Sequence, residues 1–272
     1  MNDIGRQTAA ILAAHYPADD ALLRRAAVIA ERLAAVNPHM NLTALTAPEE
    51  IAMLHIYDSL ALRLACDFTG RTVVDVGCGG GFPALPVAAA LAPGRVTALD
   101  ATAKKLAFVA ETAQAAGLTN VDTLCGRAEE LGRLPAYREG FDVAVSRGVA
   151  RLNVLAEWSL PLVRPGGLFV AMKGPRGEEE AAEAANAFVA LGGGSVRVIP
   201  YEIPVFGRSH RLIVVENFWE RRSKLFCAQR AQGGLRGEGG RTGERVCCAS
   251  NRRCGRMRAG GGCRLAGVRA GG

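Results

Sequence analysis

Thr72-Val73-Val74-Asp75-Val76-Gly77-Cys78-Gly79-Gly80-Gly81-Phe82 reads as an apolar strand that runs into a turn almost bare of side chains. Gly77, Gly79 and Gly81 let backbone approach a ligand at φ values that other residues resist. Such a turn between strand and helix serves both dinucleotide enzymes and methyltransferases, so alone it does not choose between them. The dinucleotide spacing G-x-G-x-x-G started at Gly77 needs glycine where Phe82 stands. Started at Gly79 it ends on Ala84, which the alanine variant allows. The dinucleotide reading is weakened and stays open.

Outward from that turn, β-rich runs alternate with helical ones from Arg71 to about Asn217, the pattern of a parallel sheet with crossover helices. Seven strands are expected: Thr72 to Val76, Val96 to Asp100, Val121 to Cys125, Phe141 to Ser146, Gly167 to Met172, Ser195 to Pro200 and Arg211 to Glu216. The connection between the last two holds Pro200, Pro204 and Gly207 and is too short for a helix, so the pair should run antiparallel at one edge. Before the sheet, apolar residues such as Leu22, Ala26, Ile29, Ala30 and Leu33 recur at helical steps. Pro38 should end that helix. Thr46, Pro48, Glu49 and Glu50 read as a cap, a first-turn proline and first-turn acids, opening a further helix toward Leu64. The expected organisation is a helical cap over 1–67, an α/β domain over 68–218 and a tail over 219–272.

The 272 residues carry a net charge of +7, but its distribution matters more than its sum. Residues 219–272 hold twelve Arg and one Lys against three Glu, leaving 1–218 with −3. Thirteen of those 54 residues are Gly, and without apolar periodicity they cannot build a core. The tail is expected to be disordered, either as an arginine/glycine arm or, the favoured reading, as a non-native out-of-frame extension. The eight cysteines show no C-x-x-C pair, and neither metal nor disulfide is expected. The longest apolar stretch is broken by Pro83, Pro86 and Pro93, and no leader pattern opens the chain. A cytoplasmic protein without a membrane partner is expected.

Residues around the turn then favour S-adenosylmethionine. Asp75 stands two residues before the first glycine, where methyltransferases keep a carboxylate near the methionine part of the ligand. Asp100 ends the second strand and could bind both ribose hydroxyls, a role that an NAD site also has. Ala128-Glu129 follows the third strand, where the adenine pocket lies in such folds. Phe141 to Arg147 forms a fourth strand ending at the sheet's carboxyl edge, and Leu162-Val163-Arg164-Pro165-Gly166-Gly167 makes the turn before the fifth.

Asn41-Leu42-Thr43, His55-x-x-Asp58-Ser59-Leu60, Asp75 to Pro83, Ser146-Arg147, Met172-Lys173-Gly174 and His210-Arg211-Leu212 occur in an order that resembles the glucose-inhibited division protein B family over about residues 20–217. The resemblance implies a Rossmann-like class I methyltransferase with a seven-stranded, mostly parallel sheet, an antiparallel last strand and an N-terminal helical cap. It further implies methylation of guanine N7 in the 530 loop of 16S ribosomal RNA, with the RNA or the small ribosomal subunit as partner; a monomer is expected. Cofactor contacts carry over to Gly77, Phe82, Ala128, Glu129 and Arg147, and Asp75, Gly79, Gly81 and Asp100 join them from the general fold. Gly148 departs from the alanine usual after the Ser-Arg pair.

Guanine N7 has an available lone pair, so its methylation needs alignment rather than a general base. An arginine on O6 and N7 would cover the reacting atom. Arg147, Lys173 and Arg211 are therefore expected to hold phosphates or O6, while acceptors read N1–H and the exocyclic amine. His55 and Asp58, three apart on one helix face, are expected to pair and to line the site rather than act as acid and base. His210 reads as a packed or RNA-contacting imidazole. Because the body is mildly acidic, RNA affinity has to come from a local basic patch drawn from residues such as Lys104, Lys105, Arg176 and Arg208. The competing readings are a methyltransferase for a small molecule or protein, a non-catalytic RNA-binding assembly factor and, least favoured, an NAD oxidoreductase.

Overall fold

The computed structural model describes residues 2–218, and the expectations for the tail lie outside them. The described residues fall within one compact unit. The chain opens with α1 (Asp3–His15) and α2 (Asp20–Met40). Asp19 caps α2 by accepting from Leu22 N at 2.7 Å, as an N-cap carboxylate should. Pro38 does not end α2. It sits inside the last turn, and the helix stops at Asn41, which takes a left-handed φ of 49° as asparagine tolerates. The Asn37 side chain then grips Thr43, giving Nδ2–H to its carbonyl at 2.8 Å and accepting its N–H at 2.9 Å.

The next helical run is not one uniform helix. It begins as α3 (Pro48–Glu50), widens to a π-helix over Ile51–Tyr57, returns to α4 (Asp58–Leu60) and tightens to a 3-10 turn over Ala61–Leu64. Thr46 is not its cap. Ala47 occupies that position, and Glu50 Oε2 reaches back to the N–H groups of Thr46 at 2.9 Å and Ala47 at 3.1 Å.

The sheet consists of β1 (Thr72–Val76), β2 (Arg95–Asp100), β3 (Val121–Cys125), β4 (Phe141–Arg147), β5 (Val163–Lys173), β6 (Gly193–Ile203) and β7 (Arg208–Asn217). Its order is β3-β2-β1-β4-β5-β7-β6. The first five strands are parallel, and β7 runs antiparallel to both β5 and β6. All seven expected strands are present, with β5, β6 and β7 longer than expected. Alternate residues divide the core into two faces, the period-two consequence of the pleat. Val73, Val143, Val145, Val170, Leu212 and Val214 face a cluster that includes Leu22, Ile29 and Leu33 of α2 and Leu85 of α5 (Ala84–Ala90), with Leu106 of α6 (Ala103–Ala115). Val74, Ala144, Phe169, Ala171 and Ile213 face the other cluster, with Leu155 of α8 (Leu152–Ser159) and Phe188 of α10 (Ala185–Ala190). The short α7 (Ala128–Leu131) and α9 (Gly177–Glu183) follow β3 and β5. The cap thus shares one apolar core with the sheet, and the boundary expected at residue 67 falls inside that shared cluster. No described helix is long and apolar enough to cross a membrane.

Candidate active site

The carboxyl ends of the parallel strands open on two neighbouring cavities. The larger, about 400 Å³, is lined by the glycine turn, Phe82, Asp100, Lys105 and Arg147, together with Leu42, Thr43 and His55 from the cap. The smaller, about 180 Å³, is lined by Gly126, Arg127, Ala128, Glu129 and Trp158. Gly77, Asp100 and Val149 line both. Asp100 Oδ2 accepts from Gly79 N at 3.1 Å and Oδ1 from Thr102 N at 2.8 Å, which fixes a carboxylate with acceptor capacity to spare at the junction.

This arrangement suits a ligand of two lobes that meet at a group able to donate hydrogen bonds to Asp100. Gly79 has φ of 55°, and a Cβ built there would meet nothing within 4 Å, so the turn leaves room for a ligand against bare backbone. Gly77 also needs its glycine, because at φ of 77° a Cβ would lie 2.7 Å from a Val149 methyl. Gly81 lines neither cavity. A Cβ there would strike Leu85 at 2.6 Å, so its task is close packing of the turn on α5. Asp75 is likewise beneath the turn, fully buried, with Oδ2 accepting from Ala84 N at 2.9 Å and Oδ1 without a partner. Burial raises its pKa to about 7, the direction expected for a carboxyl removed from water.

On the cap side the site is built from side chains. Arg147 Nη1 donates to Asp58 Oδ2 at 2.9 Å and to Leu54 O at 2.9 Å, while Nη2 meets His55 Nδ1 at 3.1 Å. Arginine can only donate, so His55 Nδ1 is the acceptor and Nε2–H donates to Thr43 Oγ1 at 2.9 Å. That holds the ring neutral. Burial, then the Arg147 charge, lowers its pKa to about 3. The ring stacks on Phe82 with centroids 4.5 Å apart.

Asp58 is the hub of this network. Its Oδ1 accepts from Tyr201 Oη at 2.7 Å and from His210 Nδ1 at 3.1 Å. Burial alone would raise its pKa, but the His210 hydrogen bond, the Arg147 charge and the Tyr201 hydroxyl outweigh it and hold the carboxyl below its usual range. The possible direct bond between His55 and Asp58 is absent from the described hydrogen bonds, because His55 gives its one N–H to Thr43 and the Asp58 oxygens accept from other partners. Two further expectations meet the same obstacle. Lys173 Nζ donates to Ala150 O at 2.7 Å and Glu180 Oε2 at 2.8 Å, which anchors the loop after β4. Arg211 Nη1 is turned back onto Ser209 Oγ at 2.6 Å and His210 O at 2.9 Å. Neither residue lines the two cavities.

Thr43, Tyr201, Val149 and Trp158 have no site role in the sequence reading. Thr43 stands in the Asn-Leu-Thr run and could have been found there. Tyr201, Val149 and Trp158 look like ordinary strand, loop and helix residues, and only their neighbours mark them.

The rRNA small subunit methyltransferase G family model matches residues 23–210, a span that contains both cavities and the Asp58 network. The chain belongs to this family. A relative of that name from Deinococcus radiodurans is 45% identical over 185 residues, covering 68% of this chain and 73% of the relative. Another from an Exiguobacterium species is 43% identical over 187 residues, covering 68% and 79%. An O-methyltransferase structure from Bacillus cereus, 20% identical with a TM-score of 0.53, covers 76% of this chain and 95% of that one, which supports the class I fold. As a family member the protein is an S-adenosylmethionine-dependent methyltransferase, and the two-part cavity around the glycine turn fits that cofactor.

Proposed function

We propose that this methyltransferase modifies N7 of a guanine in the 530 loop of 16S ribosomal RNA, acting as a cytoplasmic monomer on the RNA or the small ribosomal subunit. One observation carries the choice of atom: among the residues that line the larger cavity, neither the imidazole nor the thiol is free to take a proton. His55 has given its lone pair to Arg147 and its proton to Thr43. Asp100 holds two backbone N–H groups. The Cys78 thiol is kept protonated by burial. Lys105 and Arg147 supply positive charge. A site whose imidazole is engaged and whose carboxylate is held by the turn suits an acceptor with a ready lone pair better than an hydroxyl or amine that must first lose a proton.

The cofactor brings a sulfonium-activated methyl group. Residues proposed to hold it are Gly77, Gly79 and Phe82 at the turn, Asp100 at the junction, and Ala128 and Glu129 in the smaller cavity. Asp75 and Gly81 support them from below. Arg147 is proposed to act at one remove, fixing the His55–Phe82 stack that forms one wall, with its guanidinium carbon 5.7 Å from the Phe82 centroid. Catalysis is then by alignment inside a pre-formed wall.

Purified enzyme incubated with labelled S-adenosylmethionine and either 30S subunits or free 16S RNA should place label on one 530-loop guanine, at a position that borohydride and aniline cleave as N7-methylguanine. The single-turnover rate should be nearly flat between pH 6 and 9. Label on an exocyclic amine or ribose, or only on protein or a small molecule, would overturn the assignment, as would RNA binding without transfer.

A further inference from the structure

The hairpin joining β6 to β7 stands well above the site. Leu212 lies level with Met172, and Met172 level with Arg147. Arg208 is four residues farther out and pairs with Ile203, so at about 3.3 Å per residue the tip reaches roughly 13 Å beyond the sheet's carboxyl edge. Its base is tied to the site, since Tyr201 and His210 both hold Asp58, which holds Arg147.

The tip itself, residues 204–207, is unusual in three ways. Val205 has φ of 73° and is 52% exposed, a conformation that a β-branched residue rarely adopts and that marks sites where strain is retained for use. Phe206 is half-buried, leaning on the core cluster shared with the cap. The Arg208 guanidinium lies over the Phe206 ring at 5.7 Å and has no ion pair among the described residues. A large apolar side chain, an aromatic ring and a stacked cation without a salt bridge among the described residues therefore share one turn that projects past the sheet edge on which the site opens.

We infer that this hairpin tip is a docking arm for single-stranded RNA next to the target guanine, with Arg208 on a phosphate and Phe206 and Val205 against a base. The inference rests on the RNA reading above. In an A-form duplex N7 lies in a deep, narrow groove, so the target must be splayed from a loop. Such nucleotides are held by stacking on aromatic or guanidinium planes together with charge on the backbone. A cation already laid on a ring is pre-organised for that contact.

Arg208→Ala and Phe206→Leu test the arm with 16S RNA and 30S subunits, read both as equilibrium RNA binding and as turnover. Each should weaken RNA binding and raise the RNA KM about tenfold, as loss of one stacked contact does. The Kd for S-adenosylmethionine should stay unchanged in both variants, and the melting temperature should stay unchanged in Arg208→Ala. Arg208→Ala should flatten the slope of log affinity against log salt by about 0.7, and Arg208→Lys should restore the slope but not the full affinity. Unchanged RNA affinity and slope in Arg208→Ala would overturn the inference. So would an equal loss of cofactor affinity, which is what a merely structural hairpin would give. Because binding is measured apart from transfer, a wild-type chain that binds RNA without methylating it would defeat the proposed reaction and leave the arm standing.

Discussion

The two halves of the site are built differently. The cofactor half, from β1 through α7, rests on backbone: glycines at positive φ, N–H groups aimed at Asp100, and strand ends in register. The cap half, around Asp58, rests on side chains from the π-helix, β4, β6 and β7, elements as far apart as 152 residues in sequence. The first half depends on short-range conformation and the second on long-range pairing. Mutations should therefore act locally in one and globally in the other.

The sharpest test of that difference is Arg147→Ala. The Asp58 carboxylate is 3% exposed and its ion pair with Arg147 is 2.9 Å long. Removing the guanidinium strands a buried charge and should cost about 3–5 kcal/mol of stability, seen in urea unfolding, with methyl transfer lost as well. A cost under about 1 kcal/mol would mean that the cap half does not hold the fold as argued.

In the cofactor half, Asp100→Asn should weaken S-adenosylmethionine binding roughly tenfold or more, since hydrogen bonds to charged groups contribute about 1.5–3 kcal/mol. Unfolding free energy should change far less than with Arg147→Ala. Isothermal titration and urea unfolding on the same variant separate the two effects, and a large stability loss without a binding loss would erase the distinction between the halves.

The effect with no weight at neutral pH is a pH dependence. His55 is neutral when folded, with its pKa lowered to about 3, and takes up a proton near its ordinary value of about 6.5 when unfolded. The stability from this group is present above pH 6.5 and lost as pH falls toward 3. Across that window it should add a slope of about 1.4 kcal/mol per pH unit. His55→Gln should remove that slope between pH 6 and 4 in denaturation curves, and an unchanged slope would place the titrating group elsewhere.

The unequal legibility of the halves has the same origin. The turn at 77–81, Asp100 and Ala128-Glu129 could be read directly because strand, glycine and acid follow one another within short spans. The His55 to Asp58 run and the Met-Lys-Gly and His-Arg-Leu elements were visible as patterns, but their bonds were not. Lys173 looked like a phosphate ligand and instead holds Ala150 and Glu180. His55 and Asp58 looked like partners and instead share Arg147. A charged side chain in a sequence shows what it can bond, not which of several acceptors the fold brings within 3 Å.

By itself, then, the sequence determined the alternation of strands and helices, the glycine turn and the acid that ends the second strand beside it, because φ freedom and apolar periodicity are properties of neighbouring residues. Only the tertiary structure decided that Asp58 joins the cap to three strands, that His55 is locked neutral in one tautomer, and that Val149 stands between the two cavities. Those facts depend on which distant groups meet out of water, where an unpaired donor or charge is costly and each partner is chosen by proximity.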